Sequence, residues 1–384
     1  MIDDRKRYFL ATATLVGTII GVGIFGVPYA MSQVGLWPTL GFIVVLGGIQ
    51  VLQSLFFGEA AMACEEKVRL VGLAERYLGR RTKHVAAAAS VLGFWGGLIA
   101  YVLVGGTFLH LILSPWLGGQ PFHYQIAWGL VGAAVVYFGL EIVERIDFLS
   151  TVALVIALLL IVGMSVPHVR LDNFAAAVAG DYFLPYGVIL FSFSGLSAIS
   201  EVEDVLKGKH QHFRSSIITG MLVAIVLTTL FGLTVYGVTG DATTQDAMSG
   251  LKLVVGSGIS VFAAVFGFLA VATSYFIIGL NLRSTFEYDY KMHVVPAWLL
   301  AVGVPLAVVL LGAKNFISIV SFTGAVFGGM IAVIVSLLYI AVTKKKLLPK
   351  EKRLGVPLFW ANVTIVVLSL GALYEVVSTL REII

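Results

Sequence analysis

The chain has 384 residues, 59% of them hydrophobic and only 12% charged, with a mean hydropathy of +0.99, far from the balance of a water-soluble globular domain. Apolar runs long enough to cross a hydrocarbon core as helices, about 20 residues, recur along the whole sequence and leave no stretch for a soluble domain, so an all-α integral membrane protein is predicted and catalysis in water is disfavoured. A single cysteine, Cys64, excludes an intrachain disulfide, a Cys-based metal site and a redox pair, and the seven histidines are too scattered for a transition-metal site.

In chain order the apolar runs predict eleven helical spans, over 8–33, 37–63, 84–114, 124–140, 146–166, 182–206, 214–239, 256–283, 293–312, 315–343 and 357–380. The first run exceeds the roughly 7–15 residues of a signal-peptide apolar region and is followed by further spans, so it is read as a span. Between the second and third, residues 68–79 place Val68, Val71, Leu73, Ala74 and Leu78 near a helical period, which predicts a short interfacial helix. Cytoplasmic connections retain Lys and Arg. Assigning connections alternately to two sides leaves only Arg170, Lys252, Lys314 and Arg381 of the 25 basic residues on one of them. The amino terminus is therefore expected inside and the carboxyl terminus outside. The net charge of +4 is read as this topological bias, not as affinity for nucleic acid.

Two spans resist their own helical structure. "LVGTIIGVGIFGVPYA" in the first carries Gly17, Gly21, Gly23, Gly26 and Pro28, and interior glycine costs about 1 kcal/mol and proline about 3 kcal/mol relative to alanine. "YGVILFSFSGLSAISEVEDV" in the sixth follows Pro185, is interrupted by Ser192, Ser194, Gly195, Ser197 and Ser200, and ends in Glu201, Glu203 and Asp204. Close helix packing through the Gly17–Gly21 pair is the alternative reading of the first. Unwound backbone in a bilayer is tolerable only when buried in protein or lining a wet cavity. The two interrupted spans lead two blocks of five, 8–166 and 182–343, with 357–380 as an additional helix. Blocks with an odd number of spans insert in opposite senses, as an inverted repeat requires. Broken helices expose amides that attract carboxylate and carbonyls that attract ammonium. The amides around Gly21, Val22 and Gly23, with the oxygens around Phe191, Ser192 and Ser194, would suit an amino acid zwitterion.

"GTIIGVGIFGVPYA", "FSFSGLSAISEVEDV", "ATSYFIIGLN" in the eighth span and the eleven-span layout resemble the amino acid/auxin permease family of the amino acid–polyamine–organocation superfamily. The chain looks most like bacterial aromatic amino acid permeases and is also similar to sodium-coupled neutral amino acid transporters. The resemblance implies a LeuT-type fold, five plus five helices in inverted repeat, with helices 1 and 6 discontinuous at the substrate. It implies Gly21, Val22 and Gly23 at the carboxylate, and the Ile19 carbonyl with Phe191, Ser192 and Ser194 at the amine. Tyr101, Phe193, Ser321 and Thr323 would set side-chain selectivity. The match departs at "NLRSTFEYDYKM", so it implies a neutral amino acid with aromatic specificity left open.

Thr273 and Ser274 in "LAVATSYF" share a helix with the Ala270 carbonyl one turn back. The fold's second sodium site uses such a pair with carbonyls of the broken first helix, here Gly17 and Ile20. The alternative is that both hydroxyls simply bond within their own helix. Proton coupling competes, with Glu59 of the second span as the best intramembrane carboxyl and His110 a weaker choice. Arg5, Lys6 and Arg7 before the first span, facing Glu201, Glu203 and Asp204, are candidates for an inner gate. The expected function is import of an amino acid by sodium- or proton-coupled symport with alternating access. No cofactor is expected, sodium being a coupling ion only. The expected setting is a bacterial inner membrane, with the lipid bilayer as the other partner, no nucleic acid, and action as a monomer. A sensor using the same site is the alternative, disfavoured by the short termini. A channel fits two broken helices less well, and no nucleophile–base pair points to a membrane enzyme.

Overall fold

The computed structural model describes residues 4–64, 69–139, 142–175, 181–206, 210–349 and 353–383, and among them every regular element is helical. Lys67, Val68, Lys207, Lys209, Lys350 and Lys352, which belong to the predicted interfacial helix and basic connections, lie outside the described residues. The first run forms α1 (Asp4–Ile19) and α2 (Gly23–Val34), followed by α3 (Leu36–Met62), α4 (Leu70–Leu78), α5 (Arg80–Leu117), α6 (Pro121–Phe138) and α7 (Ile142–Ser165). The sixth run is split into α8 (Leu184–Ser192) and α9 (Ile199–Leu206). After it come α10 (His210–Thr239), α11 (Met248–Val255), α12 (Ser257–Ser284), α13 (Val294–Leu310), α14 (Phe316–Lys344) and α15 (Leu358–Ile383). Seven of these helices are long and apolar enough to cross a membrane singly, and α1 with α2 qualifies as one span bent by 56°. The chain is a multi-pass membrane protein.

The differences from expectation have local causes. The bend in the first span falls at 20–22, and Pro28 is accommodated inside α2. α11, too short to be read as a span, starts where the buried Asp246 carboxylate accepts from Thr244 Oγ1 at 2.5 Å and Ser249 Oγ at 2.6 Å, an end-of-helix arrangement favoured by short polar side chains. α4 is amphipathic as expected: Leu73 and Ala74 are buried, Glu75 and Arg76 exposed. Its Tyr77 hydroxyl donates to the Ala63 carbonyl at 2.9 Å, fastening it to the end of α3.

Small residues let the helices approach closely, the usual basis of association where lipid removes the hydrophobic drive. A methyl placed on Gly187 of α8 would stand 2.1 Å from the Ser321 carbonyl oxygen of α14, and one on Gly324 of α14 would stand 2.1 Å from the Gly187 carbonyl oxygen. These two helices therefore meet backbone to backbone. The contact coincides with a π-helical stretch in α14 at Thr323–Gly328, a distortion often found at functional sites.

One charged group ties two helix ends together. Arg283, near the end of α12, donates through Nη1 to the Val136 and Tyr137 carbonyls, both at 2.7 Å, and through Nε to Glu287 at 2.6 Å. The carbonyls are orphan acceptors at the carboxyl end of α6, where a cation also complements the helix dipole. Arg283→Met is expected to destabilise the folded protein by about 2 kcal/mol, measured by denaturant unfolding in detergent. Arg283→Lys should recover little of it, because a point ammonium cannot reproduce the fork.

Candidate functional site

The first break is a sharp reversal of backbone pairing. Ile20 N–H makes the last regular bond, to Val16 at 3.0 Å, and Gly21 N–H turns back on Ile19 at 2.9 Å. Three-residue steps, Ile24 to Gly21 at 3.4 Å and Phe25 to Val22 at 3.3 Å, then start α2. The Tyr101 hydroxyl of α5 stands beside this break, 2.8 Å from where a methyl on Gly21 would lie, with Ser274 Oγ of α12 at 3.6 Å from the same point. Among the described residues no backbone acceptor takes the Gly23 N–H. Of the three amides proposed for a carboxylate, Gly21 is thus engaged locally, Val22 is buried beside the Tyr101 side of the break and Gly23 has no backbone acceptor among the described residues.

The second break mirrors the first. α8 ends with Phe193 N–H on Ile189 at 3.0 Å and Ser194 N–H on Phe191 at 3.2 Å, and Ala198 N–H on Gly195 at 3.1 Å begins the turn into α9. Gln50 of α3 donates to the Leu190 carbonyl at 2.9 Å, and Ser192 Oγ donates to Val188 at 2.7 Å. The breaks touch each other. A methyl on Gly23 would lie 2.6 Å from Ser192 Cα and 3.1 Å from the Phe191 ring, and one on Gly195 would lie 2.8 Å from the Ile19 side chain.

Both breaks open into a cavity of about 390 Å³, within the range of small-molecule sites. Ile19, Gly21, Gly23, Tyr101, Phe191, Ser194 and Thr323 border it, as do Gly17, Ala270, Thr273 and Ser274 of the predicted ion site. Among the described residues that line it there is no ionisable carboxyl, amine, guanidinium or imidazole. It runs from the breaks toward Ser90 of α5 and Asn281 of α12, near the helix ends that carry Arg80, Arg81 and Arg283. On the other side of the breaks Phe25 packs edge-on against Phe108 at 4.9 Å and Phe231 at 5.8 Å, all three buried.

Several expected positions lie elsewhere. Val22 and Ser192 are buried beside the cavity without bordering it. The buried Phe193 ring points to Gly47 of α3, and Ser321 donates to Glu375 of α15 at 3.0 Å, so neither faces the cavity. Ile20 borders a small apolar gap with Ala270 instead. Thr273 Oγ1 donates to the Ala270 and Leu269 carbonyls at 3.0 and 3.2 Å, and Gly17 faces Thr151 of α7. Glu59 is 1% exposed and stands outside the cavity, its carboxylate accepting from Leu354 N–H at 2.8 Å in the connection before α15. His110 packs edge-on to Tyr124 at 5.2 Å, also outside. Arg5 lies over the Phe9 ring at 5.9 Å; Glu203 and Asp204 are on α9, which packs along α1, the helix that begins with Arg5 and Arg7.

Sequence reasoning missed Gln50, Ser90, Asn281 and Glu375. Gln50, one of two amides in an apolar run, and Glu375, a carboxyl in another, were detectable as polar groups within spans. Ser90 and Asn281 needed the helix orientations.

A bundle that is all-helical among the described residues, with a cavity framed by two broken helices, has the architecture of a membrane transporter. The chain belongs to the tryptophan/tyrosine permease family, whose model matches residues 4–377. It is 24% identical over 386 residues to tyrosine-specific transport system 1 of Haemophilus influenzae, covering 94% of each chain. It is 20% identical over 354 residues to glutamine transporter 2 of Aliivibrio fischeri, covering 88% of this chain and 90% of that one. Among solved structures it superposes on MhsT in complex with L-phenylalanine with a TM-score of 0.68 at 15% identity, covering 94% and 98% of the two chains. Mhp1, a nucleobase-cation-symport-1 family transporter, in a closed conformation with bromovinylhydantoin bound, gives 0.62 at 14% identity, covering 97% and 93%. Both share its fold, the architecture expected from the broken-helix motifs.

Gly23→Ala is expected to force the two breaks apart and lower uptake by about two orders of magnitude, because the clash is with backbone and cannot be relieved by a rotamer change. Gly48→Ala on the exposed side of α3, with nothing within 4 Å, should leave uptake and expression unchanged. Labelled-substrate uptake in cells, normalised to surface protein, separates the two.

Proposed function

We propose that this chain imports a neutral amino acid with a large side chain, tyrosine being the first to test, by sodium-coupled symport with alternating access. The carrying observation is the Gly23 amide, without a backbone acceptor among the described residues, in contact with the second break across Ser192 and beside a cavity whose described walls carry no charge. A carboxylate gains most from amides at a helix start, and an ammonium group is matched by carbonyls without a buried acid. Phe94, Phe191, Ile277 and Ile331 give apolar walls for a large side chain. The tyrosine-specific relative supports this choice.

In this reading α6, the α8–α9 pair and α13 complete eleven spans, and the two breaks lead the two inverted five-helix blocks, with α15 additional. The basic connections favour a cytoplasmic amino terminus. The cavity then faces inward, and the Phe25–Phe108–Phe231 cluster seals the outer side. Sodium is favoured over a proton because Gly17, Ala270, Thr273 and Ser274 border the cavity whereas Glu59 is committed to Leu354. The donated hydrogen of Thr273 leaves its oxygen lone pairs for a cation. Arg7 with Glu203 and Asp204 would close the inner end, and a single chain contains the whole site, so it acts as a monomer.

The test is uptake of labelled tyrosine into liposomes holding the purified protein, with a sodium gradient and a pH gradient imposed separately. Accumulation under the sodium gradient is expected, and absence under both gradients overturns the proposal. Thr273→Ala should weaken sodium dependence while tyrosine binding at saturating sodium persists. Tyr101→Phe removes the hydroxyl beside the first break and should raise KM by about tenfold.

A further inference from the structure

The second span carries two buried amide side chains that the transport reading does not use, Gln50 and Gln53. Gln53 donates to Ser336 Oγ at 2.8 Å and fastens α3 to α14; neither residue borders the cavity. Gln50 meets the broken span itself. Its Nε2 donates at 2.9 Å to the carbonyl of Leu190, a residue of the last turn of α8 and of the cavity wall.

An α-helix running on through 193–195 would pair the Leu190 carbonyl with the Ser194 N–H. Ser194 N–H instead donates to Phe191, the shorter step that tightens helix ends. Gln50 replaces the missing partner at Leu190. With Ile189 taken by Phe193 and Phe191 by Ser194, the Ser192 carbonyl is the first at this end without a hydrogen bond among the described residues.

We infer that Gln50 is a positioning residue for the substrate site: its amide fixes where α8 stops, and so how the turn at 190–194, whose Leu190, Phe191 and Ser194 border the cavity, presents its carbonyls to the substrate's ammonium group. The inference rests on the amino acid carrier reading above. Without this donor the buried Leu190 carbonyl is left unsatisfied, a costly state. The nearest remedy is the regular bond from Ser194, which lengthens α8 and turns the freed carbonyls away.

The test uses the purified full chain in detergent, with equilibrium binding of labelled L-tyrosine and hydrogen–deuterium exchange across 190–197. Gln50→Leu is expected to weaken tyrosine binding by about tenfold or more and to slow exchange at the Ser194 amide. Gln53→Leu, the same change one turn along the same helix, should lower the melting temperature yet keep the Kd within about twofold. This contrast separates positioning from general stability. Gln50→Leu binding tyrosine as the unmodified protein does, or exchanging identically across 190–197, overturns the inference. Should Gln50→Leu not fold, Gln50→Asn, whose amide is too short to reach Leu190, carries the same expectations. An unmodified protein that binds no amino acid refutes the carrier reading, and the exchange comparison still decides the role of Gln50.

Discussion

The contact of Gly23 with Ser192 is the constraint on which the arrangement depends. Two helices are broken at the same depth, and the breaks meet so closely that the backbone of one excludes a single methyl from the other. Neither break would be tolerable alone in hydrocarbon, where each unpaired amide or carbonyl costs several kcal/mol. Together they partition their unpaired groups. The Leu190 carbonyl is satisfied by a neighbour, Gln50. The Gly23 amide and the Ser192 carbonyl, without a backbone partner among the described residues, meet at the junction.

This explains why the site needs no charged side chain. Burying a carboxylate or ammonium without compensation is prohibitive, and even a paired charge seldom repays its desolvation. Helix ends supply partial charges of either sign without that penalty, because their dipoles are fixed by the fold. In the proposed reading a cationic or anionic side chain would meet no counter-ion among the described walls of the cavity. The tolerance left is for size and polarity, set by Phe94, Phe191, Ile277 and Ile331 and by the neutral polar groups of Ser90 and Asn281.

Much of this was legible in the sequence, for identifiable reasons. Glycine and proline in the first apolar run and serine in the sixth oppose helix propensity, and their pairing favoured a built-in break in both over close packing at Gly17–Gly21; the structure breaks both runs there. The contributions of Tyr101, Thr323, Thr273 and Ser274 to the cavity wall followed from the helices that carry them. Orientation about a helix axis was not legible, since an apolar span in a bundle lacks the polar stripe that would mark its face. Ser321 and Thr323, two residues apart on α14, therefore looked equivalent, yet one turns to Glu375 and the other to the cavity. Glu59 shows a related limit: a buried carboxyl within a span invites a proton role, but its hydrogen-bond partner, the Leu354 amide almost three hundred residues away in sequence, was not legible.

The two halves of the sixth span are held by different kinds of contact, and this bears on which can move. α8 is pressed backbone to backbone on α14 at Gly187 and Gly324, hydrogen-bonded to Gln50 of α3, and wedged by Tyr186 against Gly371 of α15. α15 is in turn tied down by polar bonds, Ser321 to Glu375 and Ser336 to Thr364. Such bonds count where apolar contact alone gives helices no preference over lipid. On the other side of the break, Gly195 meets the side-chain ends of Ile19 and Leu15, and Gly220 of α10 meets Leu15 again. Flexible side-chain ends can change rotamer as helices shift, whereas two interlocked backbones cannot part by small steps. A motion hinged at the breaks therefore has least to undo on the α1–α9 side, the side that flanks the inward-facing end of the cavity in the proposed cycle.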